Sequence, residues 1–204
     1  MNYFTVDGEA FADYEIKRSL FTASLKGISD YDEGLSFVKG IAKKYSDATH
    51  NCYAVICLGG EQKFSDDGEP SGTAGTPILQ VLKKNNLSNV ACVVTRYFGG
   101  IKLGAGGLVA AYTKAATNAV SNAKICEMKE SNVYLLTVPY GDYEQTVRLT
   151  VGAGGKVKET GYGSTVSVVS AVPVERNEAF LEKINEAFGG RITPVPVSTG
   201  YESY

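Results

Sequence analysis

Two glycine-rich stretches concentrate the residue types that could do chemistry. The first, Ser65-Asp66-Asp67-Gly68-Glu69-Pro70-Ser71-Gly72-Thr73-Ala74-Gly75, packs three carboxylates and several hydroxyls into one short loop. The second runs Arg96-Tyr97-Phe98-Gly99-Gly100-Ile101-Lys102-Leu103-Gly104-Ala105-Gly106-Gly107 and carries two cations among glycines. Each precedes a helix start, where unpaired backbone N–H groups and the positive end of the helix dipole favour an anion. Asp66, Asp67 and Glu69 repel one another unless a cation, water or hydrogen bonds offset the charge. They read as a metal or acid–base site. They read also as a solvated turn in which Asp66 or Asp67 accepts backbone N–H bonds before Gly68 and Glu69 pairs with a basic side chain, the reading that spacing favours.

In the second stretch Arg96 and Lys102 supply countercharge for a phosphate or carboxylate, and the absent side chains of Gly104 and Gly106 would let such a group approach the backbone. The same glycines would also permit tight turns and close helix packing. No Gly-x-x-x-x-Gly-Lys-Ser/Thr occurs, and Gly104-Ala105-Gly106-Gly107-Leu108-Val109 lacks the third glycine of the dinucleotide fingerprint. His50 is the one imidazole of the chain and sits between Thr49 and Asn51, as a hydrogen-bonded turn residue would. Ser71 and Thr73 become nucleophile candidates if the fold brings His50 to them. No catalytic frame, metal-ligand set or cofactor motif is recognised. The residues expected to bind a ligand are His50, Asn51, Asp66, Asp67, Glu69, Ser71, Thr73, Arg96, Tyr97, Lys102, Gly104 and Gly106.

With 204 residues, a formal charge of −2 and 44% apolar residues, the chain suits two small soluble domains. Lys plus Arg and Asp plus Glu number 13 and 13 over residues 1–128, then 7 and 9 over residues 129–204, so neither half is a basic module. A membrane or DNA partner is not expected, and the N-terminus lacks signal-peptide character, which points to the cytoplasm. Cys52, Cys57, Cys92 and Cys126 form no C-x-x-C pair and are expected as buried thiols rather than zinc ligands.

The elements that must carry the two loops follow from periodicity. A strand is expected over 14–28, then a helix capped by Asp30 and ending near Tyr45, a turn at Asp47 to Asn51, and a strand over 52–58. A weak strand leads into the acidic loop, and Ser71 or Thr73 would cap the next helix, through Ile78 and Leu82 to Asn85-Asn86. A buried strand over 90–97 and a long helix over 104–124 complete a β-α-β-β-α-β-α half. A polar stretch, 127–132, marks a boundary. Beyond it a strand over 133–138, a helix to Val151, a hairpin of 156–160 and 165–174 about Gly161 to Ser164, a helix over 178–188 and an edge strand over 192–197 give a βαββαβ order. The fold class is α+β, with domains 1–128 and 129–204.

At Ala48-Thr49-His50-Asn51-Cys52-Tyr53, Asp66 to Gly75 and Arg96 to Gly104, the chain resembles the YigZ/IMPACT family over roughly residues 14–122. The resemblance implies a ribosomal protein S5 domain 2-like N-terminal domain and a ferredoxin-like C-terminal domain, a pairing similar to the last two domains of elongation factor G. Eukaryotic relatives regulate translation by competing for the activator of an initiation-factor kinase, partly through an additional N-terminal module. The expected function is therefore non-enzymatic binding or regulation, translation- or RNA-linked, with the two loops as ligand surface. The partners expected are RNA, a ribosome-associated protein or a phosphate-bearing ligand. The alternative is an enzyme acting on a small phosphorylated or peptidic substrate, with the acidic loop as its metal or acid/base site.

Overall fold

The computed structural model describes residues 2–204, which divide into two compact units, Tyr3–Glu127 and Met128–Tyr204, the latter with Asn2. The N-terminal unit is built from β1 (Tyr3–Val6), β2 (Glu9–Ile16), β3 (Ser19–Gly27), α1 (Tyr31–Lys44), β4 (His50–Ile56), β5 (Gln62–Ser65), α2 (Gly75–Lys84), β6 (Val90–Tyr97) and α3 (Gly104–Asn122). Its sheet has the order β2-β3-β6-β4-β5, with every pair antiparallel.

Because side chains alternate across a strand, β6 serves two cores at once. Cys92 and Val94 join Phe21, Leu25, Ile78, Leu82 and Tyr112 beneath α2 and α3, while Ala91 and Val93 join Val38, Ile41 and Val55 beneath α1. Coverage on both faces is why Val90 to Val94 reads as an unbroken apolar run. Each fully buried Leu or Ile of these layers contributes about 1.5–3 kcal/mol. Asp30 caps α1 as its position suggests, accepting the Glu33 N–H at 2.8 Å.

The expected single strand over 14–28 is instead two strands. The chain reverses at Lys17-Arg18, whose φ values of 47° and 63° make a tight left-handed hairpin turn without glycine. With β1 added, the first half runs β-β-β-α-β-β-α-β-α. His50 and Asn51, expected in a turn, open β4. The β4–β5 connection turns at Gly59-Gly60, φ 96° and 93°, with open space where Cβ atoms would lie.

The C-terminal unit contains β7 (Ile125–Val138), α4 (Tyr143–Gly152), β8 (Lys156–Tyr162), β9 (Val166–Pro173), α5 (Asn177–Phe188) and β10 (Val195–Ser203), β7 beginning three residues before Met128. Strand order β10-β7-β9-β8, all antiparallel, with βαββαβ connectivity, is the ferredoxin-like arrangement. Phe180, Ile184 and Phe188 of α5 pack on Tyr134, Leu136, Val166 and Val168 of the sheet. The polar stretch 127–132, where the two units divide between Glu127 and Met128, lies within β7 and is held in register by β10, with Glu130 opposite Tyr201 and Asn132 opposite Thr199. The last strand correspondingly lies further along than expected and, with β7 as its partner, forms an edge. Among the described residues no helix is long and apolar enough to cross a membrane.

Candidate functional site

Strand register decides which of the expected site residues meet. Arg96 on β6 lies opposite Phe21 on β3 and His50 on β4, so these three share the face beneath α2 and α3. Their successors point the other way. Asn51 is across from Thr95 and accepts its hydroxyl at 2.7 Å, and Tyr97 donates to Asp47 Oδ1 at 2.9 Å.

The acidic loop is held by its own backbone. Asp66 accepts N–H bonds from Gly72 at 2.8 Å, Ala74 at 3.0 Å and Gly75 at 2.8 Å, which makes it the cap of α2 in place of Ser71 or Thr73. The Thr73 hydroxyl donates instead to Pro70 O at 2.6 Å, and Ser71 is exposed. Burial pushes the Asp66 carboxyl upward, but the three N–H donors outweigh it and hold it below the ordinary range. Asp67, at φ 41°, accepts the Asn51 N–H at 2.6 Å, and its carbonyl oxygen lies 2.7 Å from His50 Nδ1. A carbonyl only accepts, so Nδ1 carries a proton, and in the neutral form of the ring Nε2 is an acceptor.

Asp66→Ala is expected to cost about 2 kcal/mol by uncapping α2. A carboxyl depressed by folding stabilises above its unfolded pKa, and that contribution disappears as pH falls through the folded pKa. The gap between wild type and variant in urea unfolding should therefore narrow on acidification. A gap that is constant from pH 7 down to about 2 would refute the capping role.

Glu69 goes inward. It is 8% exposed, takes Arg96 Nη1 at 2.6 Å and the Tyr112 hydroxyl at 2.8 Å on Oε1, and presents Oε2 4.0 Å from His50 Nε2. Arg96, 5% exposed, is sandwiched with its guanidinium carbon 5.3 Å from the Phe21 ring centre and 5.4 Å from that of Phe98, and its Nε–H has no partner. Cys52 Sγ lies 3.0 Å from Asp66 O and 3.3 Å from the Tyr112 oxygen, so its one S–H can serve either acceptor. Desolvation pushes this thiol up to about 12, and burial likewise raises the Tyr112 phenol. The opposite charges of the two loops thus find each other first, through Glu69 and Arg96.

Above this pair lies a cavity of about 430 Å³. From the expected set it is lined by His50, Glu69, Arg96, Lys102 and Gly104. Pro70, Phe98, Leu103 and Leu108 add an apolar wall, and Thr49, whose Oγ1 accepts the Phe98 N–H at 3.1 Å, borders it. Asn51, Asp66, Asp67, Ser71, Thr73, Tyr97 and Gly106 are not among its lining residues. Gly104 enters α3 at φ 74°, a conformation that favours glycine. Among the described residues no three His, Cys, Asp or Glu side chains are grouped as a metal ion would require.

Comparison with known proteins matches residues 17–120 to the Impact N-terminal domain and residues 136–191 to a domain of unknown function, DUF1949. The chain belongs to the IMPACT family. The IMPACT family member YvyE of Bacillus subtilis is 37% identical over 195 residues, covering 93% of this chain and 88% of that protein. YigZ of Escherichia coli, another IMPACT family member, is 31% identical over 182 residues, covering 87% and 89%. Protein IMPACT of Rattus norvegicus is 37% identical over 93 residues, 43% of this chain and 29% of its own length. A crystal structure described as that of a hypothetical protein superposes with a TM-score of 0.63 at 28% identity and covers 97% of this chain and 98% of its own.

Proposed function

We propose that this IMPACT family chain is a non-enzymatic binding protein with a regulatory, translation-linked role, that its two glycine-rich loops form the ligand surface, and that the partner is RNA. One observation carries the reading: both loops converge on one cavity where Arg96 and Lys102 outnumber Glu69, while Asp66 and Asp67 spend carboxylate oxygens on backbone N–H groups. Because Arg96 and Glu69 neutralise each other, the exposed Lys102 leaves the rim with one net positive charge, which would engage an RNA phosphate despite the overall charge of −2.

The test is co-sedimentation of the purified chain with ribosomal particles and with deproteinised ribosomal RNA, comparing wild type with Lys102→Glu. Retention of wild type on both, lost in the variant, is the expected result. Retention on particles alone would move the partner to a ribosome-associated protein, and equal behaviour of the two proteins would overturn the role of the cavity.

A second reading, an enzyme acting on a small phosphorylated or peptidic substrate, is favoured by one distance. His50 Nε2 stands 4.0 Å from Glu69 Oε2, close enough for one bridging atom to touch both. In this version His50 is the base and Glu69 its partner, and the remaining acidic-loop carboxylates are structural.

A further inference from the structure

We propose that the cavity beside β6 takes a nucleoside 5′-monophosphate unit, with its phosphate at the start of α3 and its base against Phe98; this rests on the reading of the cavity as the ligand surface.

The phosphate end follows from uncompensated donors. The α3 helix begins at Gly104 with no side-chain cap and no acidic residue in its first turn, and Leu103, Gly104 and Ala105 line the cavity, so unpaired N–H groups border it. Arg96, a residue of the same lining and 5% exposed, has a buried Nε–H that meets no acceptor. Arg96 and Lys102 against Glu69 leave one formal positive charge, and the helix end adds roughly half a charge more. A phosphomonoester carries about −1.5 to −2 near neutral pH. It matches that surplus better than a carboxylate or an internal phosphodiester, each of which carries a single negative charge.

The other end follows from the acceptors and the apolar wall. With Nδ1–H given to Asp67 O, His50 in its neutral form presents a lone pair at Nε2 to carboxylate Oε2 of Glu69, 4.0 Å away. Two acceptors facing each other call for a donor between them, which a ribose hydroxyl or an exocyclic amine supplies. Phe98, 45% exposed, together with Pro70 and Leu108, offers the flat apolar surface on which a base stacks. Such a unit arises either as a free nucleotide or as the 5′-phosphorylated end of an RNA.

Titration calorimetry on the full chain with the four ribonucleoside monophosphates, the matching nucleosides, inorganic phosphate, and short RNAs bearing a 5′-phosphate or a 5′-hydroxyl tests this. At least one monophosphate should bind about tenfold more tightly than its nucleoside and than inorganic phosphate, and Lys102→Ala or Phe98→Ala should each weaken it about tenfold, the loss of one charge-assisted bond or one stacked ring. Both side chains sit at the cavity rim, and circular dichroism of each variant verifies that it folds. Binding of 5′-phosphate but not 5′-hydroxyl RNA identifies an RNA end; binding of mononucleotides alone identifies a free nucleotide. Equal affinity for nucleoside and nucleotide, no nucleotide binding, or indifference to Lys102→Ala overturns the proposal. If that happens while Lys102→Glu still abolishes co-sedimentation with ribosomal RNA, the binding role stands without it; if both effects are absent, both fall.

Discussion

Replacing Glu69 by alanine is expected to lower the free energy of unfolding by about 3–5 kcal/mol, the cost of stripping one partner from a buried ion pair. Arg96 would be left 5% exposed without the carboxylate that now accepts its Nη1 at 2.6 Å, and the Tyr112 hydroxyl would lose the same acceptor at 2.8 Å. Most of that loss is the penalty of an uncompensated charge, not the worth of the pair. Combining Glu69→Leu with Arg96→Met should therefore restore much of it, since an apolar pair of similar volume is often neutral. Tyr112→Phe should cost less, about 1–3 kcal/mol, because Glu69 keeps Arg96. Urea unfolding of the three variants checks the ordering. A single-site Glu69→Ala loss below about 1 kcal/mol, in the range of exposed pairs, would contradict the burial of this pair.

Gly99→Ala should be nearly as damaging, at about 3 kcal/mol, because the added methyl meets backbone that cannot yield cheaply. A Cβ there would lie 2.0 Å from Arg18 O and 2.1 Å from Arg18 C, at the tip of the β2–β3 hairpin, and the Gly99 N–H donates to Ser19 Oγ at 3.1 Å. The neighbouring Gly100→Ala is the internal control. No atom lies within 4 Å of its Cβ position, so the cost is the φ of 84° alone, about 1–2 kcal/mol. Thermal unfolding of the two single variants should separate them clearly. Equal losses would mean that the approach to Arg18 relaxes at little cost and that the close contact does not require glycine.

Local signals were readable where the determinant lies within a turn or two of its effect. Asp30 caps α1 from the position three residues before the N–H it accepts, and the run at Val90 to Val94 declares a strand covered on both faces. The cap of α2 was hidden because Asp66 reaches Ala74 and Gly75 from eight and nine residues upstream, a reach set by the path of the loop. Lys17-Arg18 carries no turn residue, so its reversal depends on strand pairing that no local window contains. The polar stretch at 127–132 was likewise paired by β10, some seventy residues onward in sequence.

For the site, the opposite charge of the two loops made the Glu69–Arg96 pairing an available expectation. The share of each residue in the cavity was not available, because it depends on which strand face each occupies: His50 and Arg96 on one, Asn51 and Tyr97 on the other. Tyr112 lies inside the helix expected over 104–124, and Cys52 is one of the expected buried thiols. Their hydroxyl and thiol join the polar network through register and packing, for which sequence spacing gives no sign.

The contact between Gly99 and the hairpin tip at Arg18 also fixes the length of that tip. Hairpin ends are ordinarily where a chain accepts extra residues. Here an insertion between Lys17 and Arg18 would drive backbone into the loop that borders the cavity, whereas the Gly59-Gly60 turn has open space around it. A tag or reporter peptide should be tolerated at the second turn and rejected at the first, although both are surface reversals between antiparallel strands of the same sheet.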